Sequence, residues 1–155
     1  MDQQLLKSIT AEGMARLKFV FLLYEIQHEG GRWFLHEHPW TAWSWGLDFV
    51  KELAARPGVS VREGHQCAQG LSSADERGWG LVLKRSGWMS NSETILDAVA
   101  LRCTNELKSK QGWHRHVHLV DQRARGAQVY PPLLVKRVLR GFRHQLMQAN
   151  MKKPL

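Results

Sequence analysis

The chain has 155 residues, 43% hydrophobic and 23% charged, which is enough apolar material for one globular domain and too much for a disordered chain. No apolar run approaches the ~20 residues that span a bilayer, and the opening MDQQLLKSIT lacks the basic-then-apolar layout of a secretory signal. Cys67 and Cys103 make no disulfide framework, so composition points to an intracellular setting, cytoplasmic or nuclear, with no membrane partner.

The net charge is +8, and residues 100–155 hold 12 of the 22 Lys and Arg against Glu106 and Asp121 alone. Such asymmetry favours a polyanion, and nucleic acid, DNA or RNA, is the expected partner.

In chain order, residues 9–28 read as a helix capped by Ser8 or Thr10. Met14, Leu17, Phe21 and Tyr24 form its stripe, which Val20, Leu22, Leu23 and Ile26 widen to an expected largely buried helix. Gly30-Gly31 end it, and Arg32–His38 reads as a strand that Pro39 stops. Trp40, Trp43 and Trp45 crowd the loop that follows. Gly46–Arg56 has helical spacing, Val59–Gln66 alternates as a second strand, and Leu71–Trp79 reads as an exposed polar loop. Gly80–Ser90 is a third strand with an irregularity at Gly87, and Asn91 or Ser92 caps a helix to about Arg102. Lys108–Gly112 is a basic loop, and His114–Leu119 looks like a short strand. Pro131-Pro132 open a final helix to about Gln148, with Leu134, Val135, Val138, Leu139, Phe142 and Leu146 as its apolar face.

Three groups of residues carry candidate chemistry. Glu37, flanked by His36 and His38, ends a strand and is the best catalytic candidate, although alternation turns Glu37 away from both neighbours unless the strand stops there. A basic, aromatic surface is the second: Arg115, Arg123 and Arg125 with Lys136, Arg140 and Arg143 for phosphates, and Trp40 and Trp43 for stacked bases. The third is the row His114, His116 and His118, which with Cys103 offers imidazole and thiolate to zinc. There is no Cys-x-x-Cys pair, and the Cys103–His114–His118 spacing is half of a finger. The sequence therefore favours a solvated or phosphate-facing row beside Arg115 and assigns no metal.

Several of these segments resemble a known series. Phe34–Pro39 (FLHEHP) resembles the "ENV" or "ENP" strand end of cytosine-5 DNA methyltransferases. Cys67-Ala68-Gln69-Gly70 followed by Leu83–Asn91 (LKRSGWMSN) looks like their "CxYG…KPTxxWTN" segment, and Gly126–Gly141 (GAQVYPPLLVKRVLRG) is similar to their closing "GNAVPP" turn and helix. The same ordered set, with EHP for ENP, is closer still to a methyltransferase-like segment of Copia-type retrotransposon polyproteins of protists. The match covers roughly residues 15–145.

The resemblance implies a partial Rossmann-like α/β sheet of three to four mainly parallel strands flanked by helices, in which Glu37 would contact the edge of an extruded base. The chain departs from that family where its chemistry resides. It has no glycine-rich loop after a first strand to hold S-adenosylmethionine, and neither cysteine follows a proline as the family's nucleophile does. The expectation is a retroelement-derived, catalytically incomplete module that binds nucleic acid without a cofactor of its own. The alternatives are a subunit completed by another segment that brings S-adenosylmethionine, and a structural or protein-interaction remnant. A half-sheet would also expose an edge for a partner chain.

Overall fold

The computed structural model describes residues 2–105, 112–119 and 126–151. Its elements are α1 (Gln3–Glu29), β1 (Leu35–Pro39), α2 (Asp48–Ala54), β2 (Ser60–His65), β3 (Ser72–Asp75), β4 (Gly78–Leu81), β5 (Arg85–Ser90), α3 (Glu93–Val99) and α4 (Pro132–Met151). Short 3-10 turns at Trp43–Gly46 and Gln66–Gln69 follow the Trp40 loop and β2.

β5 is the axis. It pairs antiparallel with β1 on one side and with β2 on the other, giving the order β1-β5-β2. Alternation along β5 then sorts the two cores. Met89 faces Phe21, Phe34, Val50 and Leu53, the layer of α1 and α2. Its neighbour Trp88 faces Leu96, Val99 and Leu134, the layer of α3 and α4. A separate hairpin, β3 with β4, covers a small third cluster of Leu71, Val82, Val117 and Ala127.

This arrangement overturns the expected parallel Rossmann-like sheet. Both principal sheet pairings are antiparallel, because β5 returns between β1 and β2 instead of following a crossover helix. Other corrections are local. Asp2, whose carboxylate accepts from the Gln4 amide at 3.0 Å, starts α1 well before Ser8. Of the α1 stripe only Phe21 is buried, while Leu22, Leu23 and Ile26 are exposed, so the helix is half solvated. The polar stretch 71–79 is part of a hairpin closed by Gly78 in the left-handed region, with φ 91°. Residues 114–119 form no strand, only a parallel bridge from His116 to Leu81.

Gly87 marks no bulge. Its register with His38 and Glu63 is unbroken, and its missing side chain makes room for the rings of Trp45 and Trp40. Ser92 caps α3 as expected, its hydroxyl accepting from Ile95 N at 3.2 Å. No helix among the described residues is long and apolar enough to cross a membrane.

Candidate functional site

Glu37 projects from β1 to the face opposite His36, and the structure builds a polar nest around it. Ser86 Oγ donates to Glu37 Oε1 at 2.5 Å and Gln66 Nε2 donates to the same oxygen at 3.2 Å. The Tyr130 hydroxyl donates to Oε2 at 2.8 Å, and Lys84 Nζ lies 3.8 Å from Oε1. Burial, with the Glu37 charge next to it, raises the Tyr130 hydroxyl above its ordinary range, so it remains a donor. Beside this nest is a cavity of about 450 Å³, walled by Tyr24, Leu35, Trp88, Val135, Leu139 and Phe142. Its walls are mostly apolar, with polar groups from Glu37, Tyr130, Tyr24 and His36, as small-molecule sites commonly are.

His36 also lines this cavity, but it and His38 pack on the other face of β1. His36 is buried among Phe21, Tyr24 and Trp45. Its Nδ1 is 3.3 Å from the Tyr24 hydroxyl, and its ring stacks on that of His38. Burial first, then the neighbouring His38, lower its pKa to about 4, against a smaller opposing pull from Glu37. The His-Glu-His triplet is therefore one carboxylate on one face and two packing imidazoles on the other, as strand alternation requires.

The basic candidates divide. Arg115 is committed to Asp75, with contacts of 2.9 and 2.7 Å to the two carboxylate oxygens, and to the carbonyl of Gly78. Arg123 and Arg125 lie outside the described residues. Lys136, Arg140 and Arg143 are exposed on α4, a helix with no acidic residue along its length. Arg137, between them in sequence, instead donates to Ala68 O at 2.9 Å and Gln69 Oε1 at 2.7 Å. Trp43 is exposed, whereas Trp40 is half-buried over Gly87.

A second cluster gathers at the far end of β2. The ligand atoms of Cys67, Cys103, His114 and His116 all lie within 4.8 Å of one another. Cys103 Sγ is 3.5 Å from Nε2 of both His114 and His116, and those two nitrogens are 2.9 Å apart. Both cysteines are buried and unpaired, and burial together with the neighbouring Cys103 pushes the Cys67 thiol well above its usual value. Around the cluster, His114 Nδ1 donates to Gly112 O at 3.0 Å, Asn105 bonds both backbone groups of His114, and the Cys103 amide donates to His65 Nδ1. His118, the third member of the expected row, is exposed and outside the cluster. What spacing missed is Cys67. The one signal available in the sequence was its place at the end of the second strand.

Comparison of the chain with protein-family models, curated proteins and solved structures gave no match.

Proposed function

We propose that the chain binds nucleic acid, with the phosphate backbone on the Lys136–Arg140–Arg143 stripe and an unpaired base entering the cavity that ends at Glu37. The observation that carries this reading is the stripe itself. Three exposed cations stand at helical spacing on a helix without a single carboxylate, and none of them has an ion-pair partner among the described residues. Elsewhere, arginines are largely neutralised: Arg56 by Glu25 and Glu29, Arg62 by Glu93 and Asp97, Arg85 and Arg102 by Glu63.

The cavity supports the second half of the reading. On an α-helix Lys136, Arg140 and Arg143 each follow the cavity residues Val135, Leu139 and Phe142 by one position, about 100° around the axis, which sets the stripe on the neighbouring side of the helix. A flat base in that apolar slot would meet a carboxylate able to accept from its edge, once Tyr130 yields its place. Binding of a single-stranded oligonucleotide and of a base-free strand of equal length, each at two salt concentrations, tests both halves. Loss of affinity in salt reports the stripe, and preference for the strand with bases reports the cavity. Salt-independent binding, or none, overturns the proposal.

A second reading follows the ordered motifs and the open edge of β1, which has a strand neighbour on one side only among the described residues. Here the chain is completed by another segment that lies along β1 and supplies both the S-adenosylmethionine loop and the nucleophile. Labelled S-adenosylmethionine offered to the chain alone, and to the chain with adjoining segments of its reading frame, separates the two. Only the completed assembly should take up label.

A further inference from the structure

We propose that Cys67, Cys103, His114 and His116 form a closed tetrahedral site for one zinc ion, whose work is structural. All four ligand atoms lie within 4.8 Å of one another, and the sulfur–nitrogen distances of Cys103 are those of a tetrahedron. With Zn–S of about 2.3 Å and Zn–N of about 2.0–2.1 Å, a sulfur and a nitrogen on one ion stand about 3.5 Å apart. Cys103 Sγ stands 3.5 Å from Nε2 of His114 and 3.5 Å from Nε2 of His116. The two imidazole nitrogens, at 2.9 Å, need separate by only a few tenths of an ångström. Two sulfurs with two nitrogens in this geometry select zinc over magnesium or calcium, which prefer oxygen.

The surroundings fix the donor atoms as well as the distances. Gly112 O takes the Nδ1 proton of His114, which leaves the Nε2 lone pair aimed into the cluster. Asn105 holds His114 through both its amide and its carbonyl, and His65 holds the amide of Cys103. A lone pair directed at a buried point shared with sulfur needs a proton or a cation there. On binding, each thiol releases its proton to solvent, and two thiolates with two neutral imidazoles balance the 2+ ion. The buried site is then neutral, which removes the main cost of placing charge there.

The position explains what the ion would do. Cys67 follows β2, Cys103 follows α3, and His114 and His116 sit in a segment that regular pairing holds only through the His116–Leu81 bridge. The hydrophobic cluster beneath that segment, Leu71, Val82, Val117 and Ala127, is small. A four-ligand tie supplies what so small a core lacks. This inference is independent of the nucleic-acid reading, since no stripe residue enters it.

The test is metal content of the full chain, purified under reducing conditions and without added metal, followed by replacement of the ion with Co2+. One zinc per chain is expected, with the visible bands of tetrahedral cobalt and a thiolate-to-cobalt charge-transfer band, and a chelator should lower the melting temperature. Cys67→Ser, Cys103→Ser and His116→Ala should each fall well below one zinc per chain, while His118→Ala keeps it. Because ligand variants can misfold, thiol reactivity of the unaltered chain is a second readout: both cysteines should resist a thiol reagent until chelator is added. A folded, reduced chain without zinc or cobalt bands overturns the proposal, as does a Cys67–Cys103 disulfide in the natively isolated protein. So does equal loss of metal in His118→Ala. Neutralising Lys136, Arg140 and Arg143 should leave metal content unchanged, so failure of either proposal is distinguishable from failure of the other.

Discussion

Arg137 donates to the carbonyl oxygen of Ala68 at 2.9 Å, one residue beyond Cys67. The same guanidinium reaches Gln69 Oε1 at 2.7 Å, and Gln69 is itself fully buried and donates to Val99 O. The basic helix is thereby bolted to the turn that carries a cluster ligand. Arg137→Ala should leave the Gln69 oxygen without this partner inside the protein and cost about 2 kcal/mol, as hydrogen bonds to charged groups do. Urea denaturation should show a lowered midpoint with an unchanged slope. A midpoint equal to that of the unaltered chain would mean that α4 is seated by its apolar face alone.

Lys136→Ala, Arg140→Ala and Arg143→Ala should behave in the opposite way. Each side chain is exposed and touches no carboxylate among the described residues, so stability should move by less than about 0.5 kcal/mol. Nucleic-acid affinity should fall with each removal, and the slope of log affinity against log salt should shrink by roughly 0.7–0.9 per cation lost. Arg115→Ala should leave that slope unchanged, because its charge is already satisfied by Asp75. A shallower slope in Arg115→Ala than in Arg140→Ala would contradict this division of the arginines.

Gly87 should tolerate no side chain. A Cβ there would run into Trp45 Cζ2 and come within 3.2 Å of Trp40 Cε3. Trp45 cannot swing away cheaply, since its indole nitrogen donates to Pro39 O at 2.8 Å. Gly87→Ala should therefore cost about 1–3 kcal/mol by overpacking. Trimming the obstacle in Gly87→Ala/Trp45→Leu should recover part of that loss, giving a favourable coupling in a double-mutant cycle of thermal or urea unfolding. Strict additivity of the two changes would show that the cost has another origin.

Much of the local structure was legible because local rules decide it. Ser92 before an apolar helical run, Pro131-Pro132 opening α4 and the alternation of Val59–Gln66 all fixed their elements within a few residues. Direction was not legible. Nothing in residues 85–90 says that β5 returns between β1 and β2, since a central strand covered on both faces is buried along nearly its whole length whether its neighbours run parallel or antiparallel. The hairpin at 72–81 was hidden because both strands are only four residues long, the first is polar and the second is half glycine. At the sites, alternation correctly parted Glu37 from His36 and His38. The same rule misread His114, His116 and His118, for it supposes a strand where there is one bridge. Cys67 escaped because a ligand set assembled from three separate segments leaves no spacing to recognise.

His36 should make stability depend on pH in a particular window. Its folded-state pKa is lowered from 6.5 to about 4, chiefly by burial. Between those values the unfolded chain binds a proton that the folded chain refuses, so stability falls as pH drops from 6.5 toward 4. Below about 4 both states carry the proton, and the loss stops growing. The effect is on the order of 3 kcal/mol for this group. His38, lowered mainly by burial as well, acts with the same sign. His36→Phe keeps an aromatic ring against Phe21 and Trp45 and removes the titrating group. The measurement is urea unfolding of both proteins at several pH values from 7 to 4. The difference between the two curves reports His36 together with its coupling to His38, and leaves out the cysteines and histidines of the cluster. The variant should lose less stability than the unaltered chain across the window. Parallel curves would place His36 where it can be protonated without leaving its packing.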